Sequence, residues 1–309
     1  MYIPRENDFI KNVPGYDRHS YPDGIVRATA GAGGDTLIIL DSAKTIVYDC
    51  GMACFSKMTI SNIHEILDPL GRKPDILLMS HTHYDHIGGL PYFLEEWPDM
   101  KVCGSGKAVK VFQSETAKRV MVELGTEAKE LYGINDVDIT AEGLRIDHIL
   151  NDGDEMVFGS HRIVAYETKG HTDCCITYMV YPEKMMLTSE SVGTYRQEHL
   201  VQVAPLKSSL QGIESCKRMS KVDCDYLYSQ HYGLVPKHLL TGYFDEVIDM
   251  HQKQIDLIKK GLEDGLTDEE ILERHKSLDW TEERAKAQPF GAYATNVRAI
   301  IARMRKGII

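Results

Sequence analysis

Leu78-Met79-Ser80-His81-Thr82-His83-Tyr84-Asp85-His86-Ile87-Gly88-Gly89 packs three imidazoles and one carboxylate into the six residues from His81 to His86. The apolar run Ile76-Leu77-Leu78-Met79, introduced by Pro74-Asp75, reads as a buried strand ending at this stretch. In an extended segment side chains alternate, so His81 and His83 point the same way and can share one metal. Asp85 and His86 lie beyond the bend and can serve a second. Gly88-Gly89 lets the backbone turn tightly there. Imidazole with carboxylate suits zinc, iron or manganese, and a motif without cysteine carries no bias towards soft metals. The alternative is a polar surface loop. With 13 histidines in 309 residues, three at this spacing beside an aspartate are a poor match to chance.

Outward from this stretch the chain alternates strands and helices. Thr36 to Leu40 and Thr45 to Tyr48 flank Asp41-Ser42-Ala43-Lys44 as a hairpin. Met58 to Leu67 has helical spacing, with Gly71 as a stop. His81 to Gly89 reads as a loop, Leu90 to Trp97 as a helix, Lys101 to Cys103 as a short strand, and Ala108 to Tyr132 as one polar helix. Leu144 to Met186 turns β-like again, with strands at Glu155 to Val157, Arg162 to Tyr166 and Cys175 to Tyr181, and Tyr226 to Tyr228 is another. The first thirty residues look irregular. After Pro236 the chain is helical: Leu239 to Leu262, a helix opened by the capping pair Thr267 and Glu270, and Ala292 to Met304. The organisation expected is a mixed α/β body over residues 1–235 and a helical extension over 236–309.

Composition narrows the function classes. Lys plus Arg is 35 and Asp plus Glu is 46, a net charge of −11, which speaks against a nucleic-acid surface. No run of about 18 apolar residues suggests a membrane span. The polar start, with prolines at 4, 14 and 22, does not read as a signal peptide. Seven cysteines without Cys-x-x-Cys spacing suit a reducing, cytoplasmic setting.

His-x-His-x-Asp-His followed by Gly-Gly resembles the metallo-β-lactamase fold superfamily of metallohydrolases. The resemblance continues through Lys169-Gly170-His171-Thr172, Gln230-His231-Tyr232-Gly233 and Asp49-Cys50-Gly51, in the family's order. It implies a four-layer αββα sandwich with two divalent metals at the sheet edges, zinc first, with iron or manganese as alternatives. His81, His83 and His171 would bind the first metal, and Asp85, His86 and His231 the second. The family's bridging Asp has its best match in Glu190, one methylene longer, so metal spacing or occupancy can differ. Asp49 would support the site through a metal-bound histidine, against the alternative of a plain turn residue. The implied chemistry is attack by a metal-activated hydroxide on a small ester-like bond: thioester, lactone or related ester. Asp85 would orient the nucleophile and relay a proton.

Other residues carry weaker signals. Tyr195, five residues after Glu190, is a candidate to reach the substrate carbonyl, against ordinary packing. Tyr84 can line the pocket or wedge the loop. Cys174 and Cys175 fit buried packing better than ligation. The tail face of Phe244, Val247, Ile248, His251, Ile255 and Ile258 reads as packed against the body, with a lid or a homodimer surface as alternatives. Glyoxalase II and thioesterase-like relatives also carry helical C-terminal elements. The partner expected is a small-molecule ester, thioester or lactone, with neither nucleic acid nor membrane. Three rivals stand beside the hydrolase: nucleic-acid processing, di-iron redox chemistry (where the family has Glu at the place of His83), and a non-enzymatic metal-bound regulator.

Overall fold

The computed structural model describes residues 18–197, 200–287 and 290–309, without the side chains of 197, 200, 283, 286 and 287. They form two compact units. The first comprises His19–Glu167 and Ile176–Leu187; the second comprises Arg18, Thr168–Cys175 and Thr188–Ile309.

The first unit opens with β1 (Ile25–Arg27), β2 (Leu37–Leu40) and β3 (Thr45–Tyr48), an antiparallel meander. Helix α1 (Ser56–Leu67) crosses over to β4 (Ile76–Leu78), parallel to β3. Helices α2 (Tyr84–Ile87) and α3 (Leu90–Glu96) lead to β5 (Lys101–Ser105), also parallel. Then come α4 (Gly106–Phe112), α5 (Glu115–Leu131) and β6 (His148–Leu150), which completes a six-stranded sheet in sequence order. The central strands LIIL, TIVY and ILL are apolar almost throughout because both sheet faces are covered. Four antiparallel strands follow: β7 (Glu155–Val157), β8 (Arg162–Glu167), β9 (Ile176–Tyr181) and β10 (Met185–Leu187).

Two contacts join these layers inside the unit. The Tyr48 and Tyr178 rings meet edge to face at 6.1 Å, and the Tyr178 hydroxyl donates to the Met79 carbonyl at 2.8 Å. Buried Asp41 accepts from the Ala43 and Lys44 amides of its own turn and from the Ser160 and His161 amides of the β7–β8 turn. Burial alone would raise the pKa of this carboxyl, but the hydrogen bonds outweigh it and hold the group well below the usual carboxylate range.

The second unit carries the short ribbon β11 (Thr194–Gln197) and β12 (Leu200–Gln202), then α6 (Ser209–Met219) and the hairpin β13 (Tyr226–Ser229) with β14 (Gly233–Leu234). Helices α7 (Leu240–Glu263), α8 (Asp268–Asp279), α9 (Glu282–Ala287) and α10 (Phe290–Arg305) follow. Ile255, Ile258, Ile271, Val297 and Ile301 form their core. Thr267 caps α8 in a complete capping box with Glu270. Phe244, Val247, His251, Ile255 and Ile258 of the amphipathic tail face are buried.

The structure corrects the sequence reading at several places. The stretch from His81 to Gly89 is not all loop, since Tyr84–Ile87 makes one helical turn. The helix expected from Ala108 to Tyr132 is two, divided at Gln113-Ser114, where the Ser114 side chain caps α5. Within the irregular first thirty residues, Ile25–Arg27 is a strand; residues 1–17 lie outside the described residues, as does His199. The sequence reading assigned no element over Ser209–Met219, which is helix α6, capped by the Ser208 side chain through the Gln211 amide. Among the described residues, no helix is long and apolar enough to cross a membrane, and the seven cysteines are free thiols.

Candidate metal centre

In the first unit the site grows from the ends of two parallel neighbours. Tyr48 at the end of β3 is in register with Leu78 at the end of β4, so Asp49 and Ser80 emerge side by side. The Asp49 amide donates to the Leu78 carbonyl, and its carboxylate accepts from the Ser80 amide at 2.8 Å and the Ser80 hydroxyl at 2.6 Å. The same carboxylate lies 3.1 Å from His86 Nδ1. Because the Ser80 proton goes to Asp49, the Ser80 oxygen is the acceptor for His81 Nδ1, 3.0 Å away. Both histidines therefore have Nδ1–H directed at the support, which leaves the Nε2 lone pairs exposed to a cation. The His81 ring is 4.7 Å from that of His83 and 4.2 Å from that of His86. His86 Nε2 is 3.7 Å from the Asp85 carboxylate. Gly34 seats this arrangement: a side chain there would stand 2.4 Å from His86 Nδ1.

The second unit presents His171, Glu190 and His231. His171 Nδ1 is 2.6 Å from the Ala204 carbonyl, which fixes the proton on that nitrogen. Its Nε2 then faces a Glu190 oxygen at 2.8 Å, and His231 Nε2 meets the other Glu190 oxygen. Ser191 accepts from the His171 amide, and Thr168 is bonded to Ser189, so the two loops are tied together. Glu190 opens a single 3-10 turn closed by Gly193 at φ 80°. His231 itself has φ 69° and Asp49 φ 49°, left-handed conformations that cost an L residue energy and collect at functional sites.

These contacts test whether metal ions suit the residues present. A neutral His171 with Nδ1–H committed to Ala204 sets a lone pair against a carboxylate oxygen, two acceptors facing each other. The same holds for His86 between Asp49 and Asp85. A cation between the partners turns both clashes into ligation, so the donor sets fit. In the first unit His81, His83, Asp85 and His86, and in the second His171, Glu190 and His231, each offer an imidazole nitrogen or carboxylate oxygen suited to a divalent ion.

The remaining candidates take quieter places. Asp49 is fully buried and holds His86, as expected of a supporting carboxylate. Tyr195 is 3% exposed on β11, its amide bonded to Ser229, in keeping with the packing alternative. Burial and the neighbouring Asp85 charge push the Tyr84 phenol well above its usual range. Cys174 and Cys175 are buried, and burial raises the Cys175 thiol, which makes it a poor ligand and nucleophile. Sequence reasoning missed Ser80, Ala204 and Ser191. Ser80 sits inside the motif and had a signal; a backbone carbonyl such as that of Ala204 has none.

Residues 30–231 match the sequence model of the metallo-beta-lactamase superfamily. The glyoxylase B2 of Dictyostelium discoideum is 25% identical over 128 residues, covering 40% of this chain and 39% of that protein. A hydroxyacylglutathione hydrolase of Prochlorococcus marinus strain MIT 9312 is 25% identical over 165 residues, 50% of this chain and 51% of its own. The chain thus spans about two-fifths to half the length of these relatives. Among solved structures, a metallo-beta-lactamase family protein from Thermus thermophilus has a TM-score of 0.62 at 15% identity, covering 93% of this chain and 95% of that one.

Proposed function

Because this chain belongs to the metallo-beta-lactamase superfamily, we propose that it is a metal-dependent hydrolase of a small ester-like bond, a thioester before a lactone or simple ester. The observation that carries the reading is the set of histidines whose Nδ1 atoms are committed to Asp49, Ser80 and Ala204 while Nε2 is left for ligation. The thioester preference draws support from the hydroxyacylglutathione hydrolase among the relatives.

In this reading His81, His83 and His171 would hold one divalent ion, Asp85, His86 and His231 would hold another, and Glu190 would serve both. Bound there, such ions supply a nucleophile at neutral pH and polarise a carbonyl. Asp85, with a side chain 20% exposed, would carry a proton from the attacking water to the leaving group. Asp49 and Ser80 keep the two motif histidines in the ligating tautomer. Buried Tyr195 is given no part in the chemistry. The free thiols support a reducing compartment, in line with a cytoplasmic enzyme.

The test is a panel of S-acyl thioesters, lactones and aryl esters, assayed before and after chelation and metal re-addition. Turnover of at least one probe, abolished by chelator and restored by metal, is the expected result. Turnover indifferent to chelator, or none with any probe, goes against the reading.

A further inference from the structure

The second unit buries a guanidinium that no described carboxylate balances. Arg196 on β11 is 2% exposed. Its Nη1 donates to the Thr281 hydroxyl at 3.4 Å and, with the Gln202 amide oxygen turned inward, to that oxygen at 3.3 Å. Its guanidinium carbon lies 5.7 Å from the centre of the Tyr232 ring. These partners are all neutral, and among the described residues the buried Arg196 Nε has no hydrogen-bond partner. A second cation stands alongside, because Arg284 donates to the same Gln202 oxygen at 3.0 and 3.1 Å. Asp279 pairs with Arg284, and among the described residues no carboxylate pairs with Arg196.

Arg27 shows what a structural arginine looks like in the same protein. It is 6% exposed, and its Nε and Nη2 both donate to Asp35, at 3.2 and 3.1 Å. Burying a guanidinium away from water is unfavourable, and a carboxylate partner offsets that cost. Among the described residues Arg196 has no such partner, and its unpartnered Nε edge is half of the fork that receives a carboxylate or phosphate side-on. The place is also telling. The Tyr232 ring that Arg196 covers is 6.1 Å from the His231 ring, so the guanidinium lies within about 12 Å of a proposed metal ligand. A small substrate can span that distance.

We propose that Arg196, with Thr281 and Gln202 beside it, is an anion-recognition site, and that the substrate carries a carboxylate or phosphate group away from the bond that is cleaved. This deepens the hydrolase reading and rests on it for the word substrate; the anion site itself does not depend on turnover.

The experiment is calorimetric titration of the metal-loaded protein with glutarate and, separately, with inorganic phosphate, using wild type, Arg196→Met and Arg196→Lys. Wild type binds one of the two anions, and whichever binds tighter identifies the group. Arg196→Met weakens that binding at least tenfold. Arg196→Lys keeps the charge without the fork and weakens it several-fold, which also serves if the methionine variant does not fold. In thermal melts without anion, Arg196→Met is as stable as wild type or more so, since an unbalanced buried charge has gone. Absence of binding by either anion in wild type overturns the proposal. So does unchanged binding in Arg196→Met, or a lowered melting temperature with unchanged binding, the signature of a strut. As a kinetic check, the kcat/KM preference for mono-4-nitrophenyl glutarate over 4-nitrophenyl butyrate falls at least tenfold in Arg196→Met, through KM. If wild type turns over neither ester, that counts against the hydrolase reading, while the titration still decides the anion site.

Discussion

The Tyr243 hydroxyl donates to the Gly193 carbonyl at 3.0 Å, and Val247, one turn further along α7, fills the space a Gly193 side chain would need. Gly193 closes the turn that Glu190 opens. The long helix is therefore the backing of a proposed metal ligand within the second unit, and its buried face has a use beyond closing a core.

Gly193→Ala is expected to be costly for two separate reasons. The new methyl would stand 2.6 Å from a Val247 methyl, and the residue holds φ 80°. A loss of about 2–4 kcal/mol is expected in chemical denaturation. Tyr243→Phe removes a single hydrogen bond and should cost about 1 kcal/mol. Both variants should hold metal less tightly than wild type in a competition titration with a chromogenic chelator. Unaltered metal affinity in Gly193→Ala would show that the turn does not position Glu190.

Asp49→Asn keeps a residue type that tolerates the left-handed backbone but removes the charge facing His86 Nδ1. The expected effect is a roughly 10–100-fold weaker metal affinity with little change in fold. Affinity within twofold of wild type would reduce Asp49 to a turn residue.

His83→Ala and His171→Ala should each abolish hydrolysis and lower the metal content while leaving the far-ultraviolet circular dichroism unchanged. Hydrolysis at the parental rate in either variant would remove that histidine from the site.

Acid stability should report on His251. It packs against Gly212 of α6, both its ring nitrogens are buried without partners among the described residues, and burial pushes its pKa down to about 4. An unfolded histidine takes up a proton near pH 6.5, so between these values the unfolded state binds more protons and stability falls as pH falls. From pH 7 to pH 5 the contribution is on the order of 2 kcal/mol. His251→Leu should lose that part of the pH dependence in urea denaturation at the two pH values. An identical pH dependence in the variant would contradict the assignment.

Much of the first unit could be read from the sequence because its signals are local. The apolar run before Ser80, the alternation through His81 and His83 and the turn at Asp41 each specify their own conformation. The same locality made Asp49 legible as a support, since it closes one strand as Ser80 follows the next. The support for His171 was hidden because a carbonyl, Ala204, provides it, and any residue has a carbonyl. Arg196 escaped notice for a related reason: an arginine in a short strand looks solvent-facing until burial and the neutrality of its neighbours are known. The single helix expected from Ala108 to Tyr132 failed because the Ser114 cap starts a second helix inside a continuous polar pattern.

The most direct test of the account is elemental analysis of protein purified without chelator or nickel resin, alongside Glu190→Gln. The account predicts about two divalent metals per chain in wild type and fewer in Glu190→Gln, as a bridging carboxylate requires. One metal per chain, unchanged in Glu190→Gln, would contradict the bridge; no metal, even after reconstitution with zinc, iron or manganese, would contradict the metal centre itself.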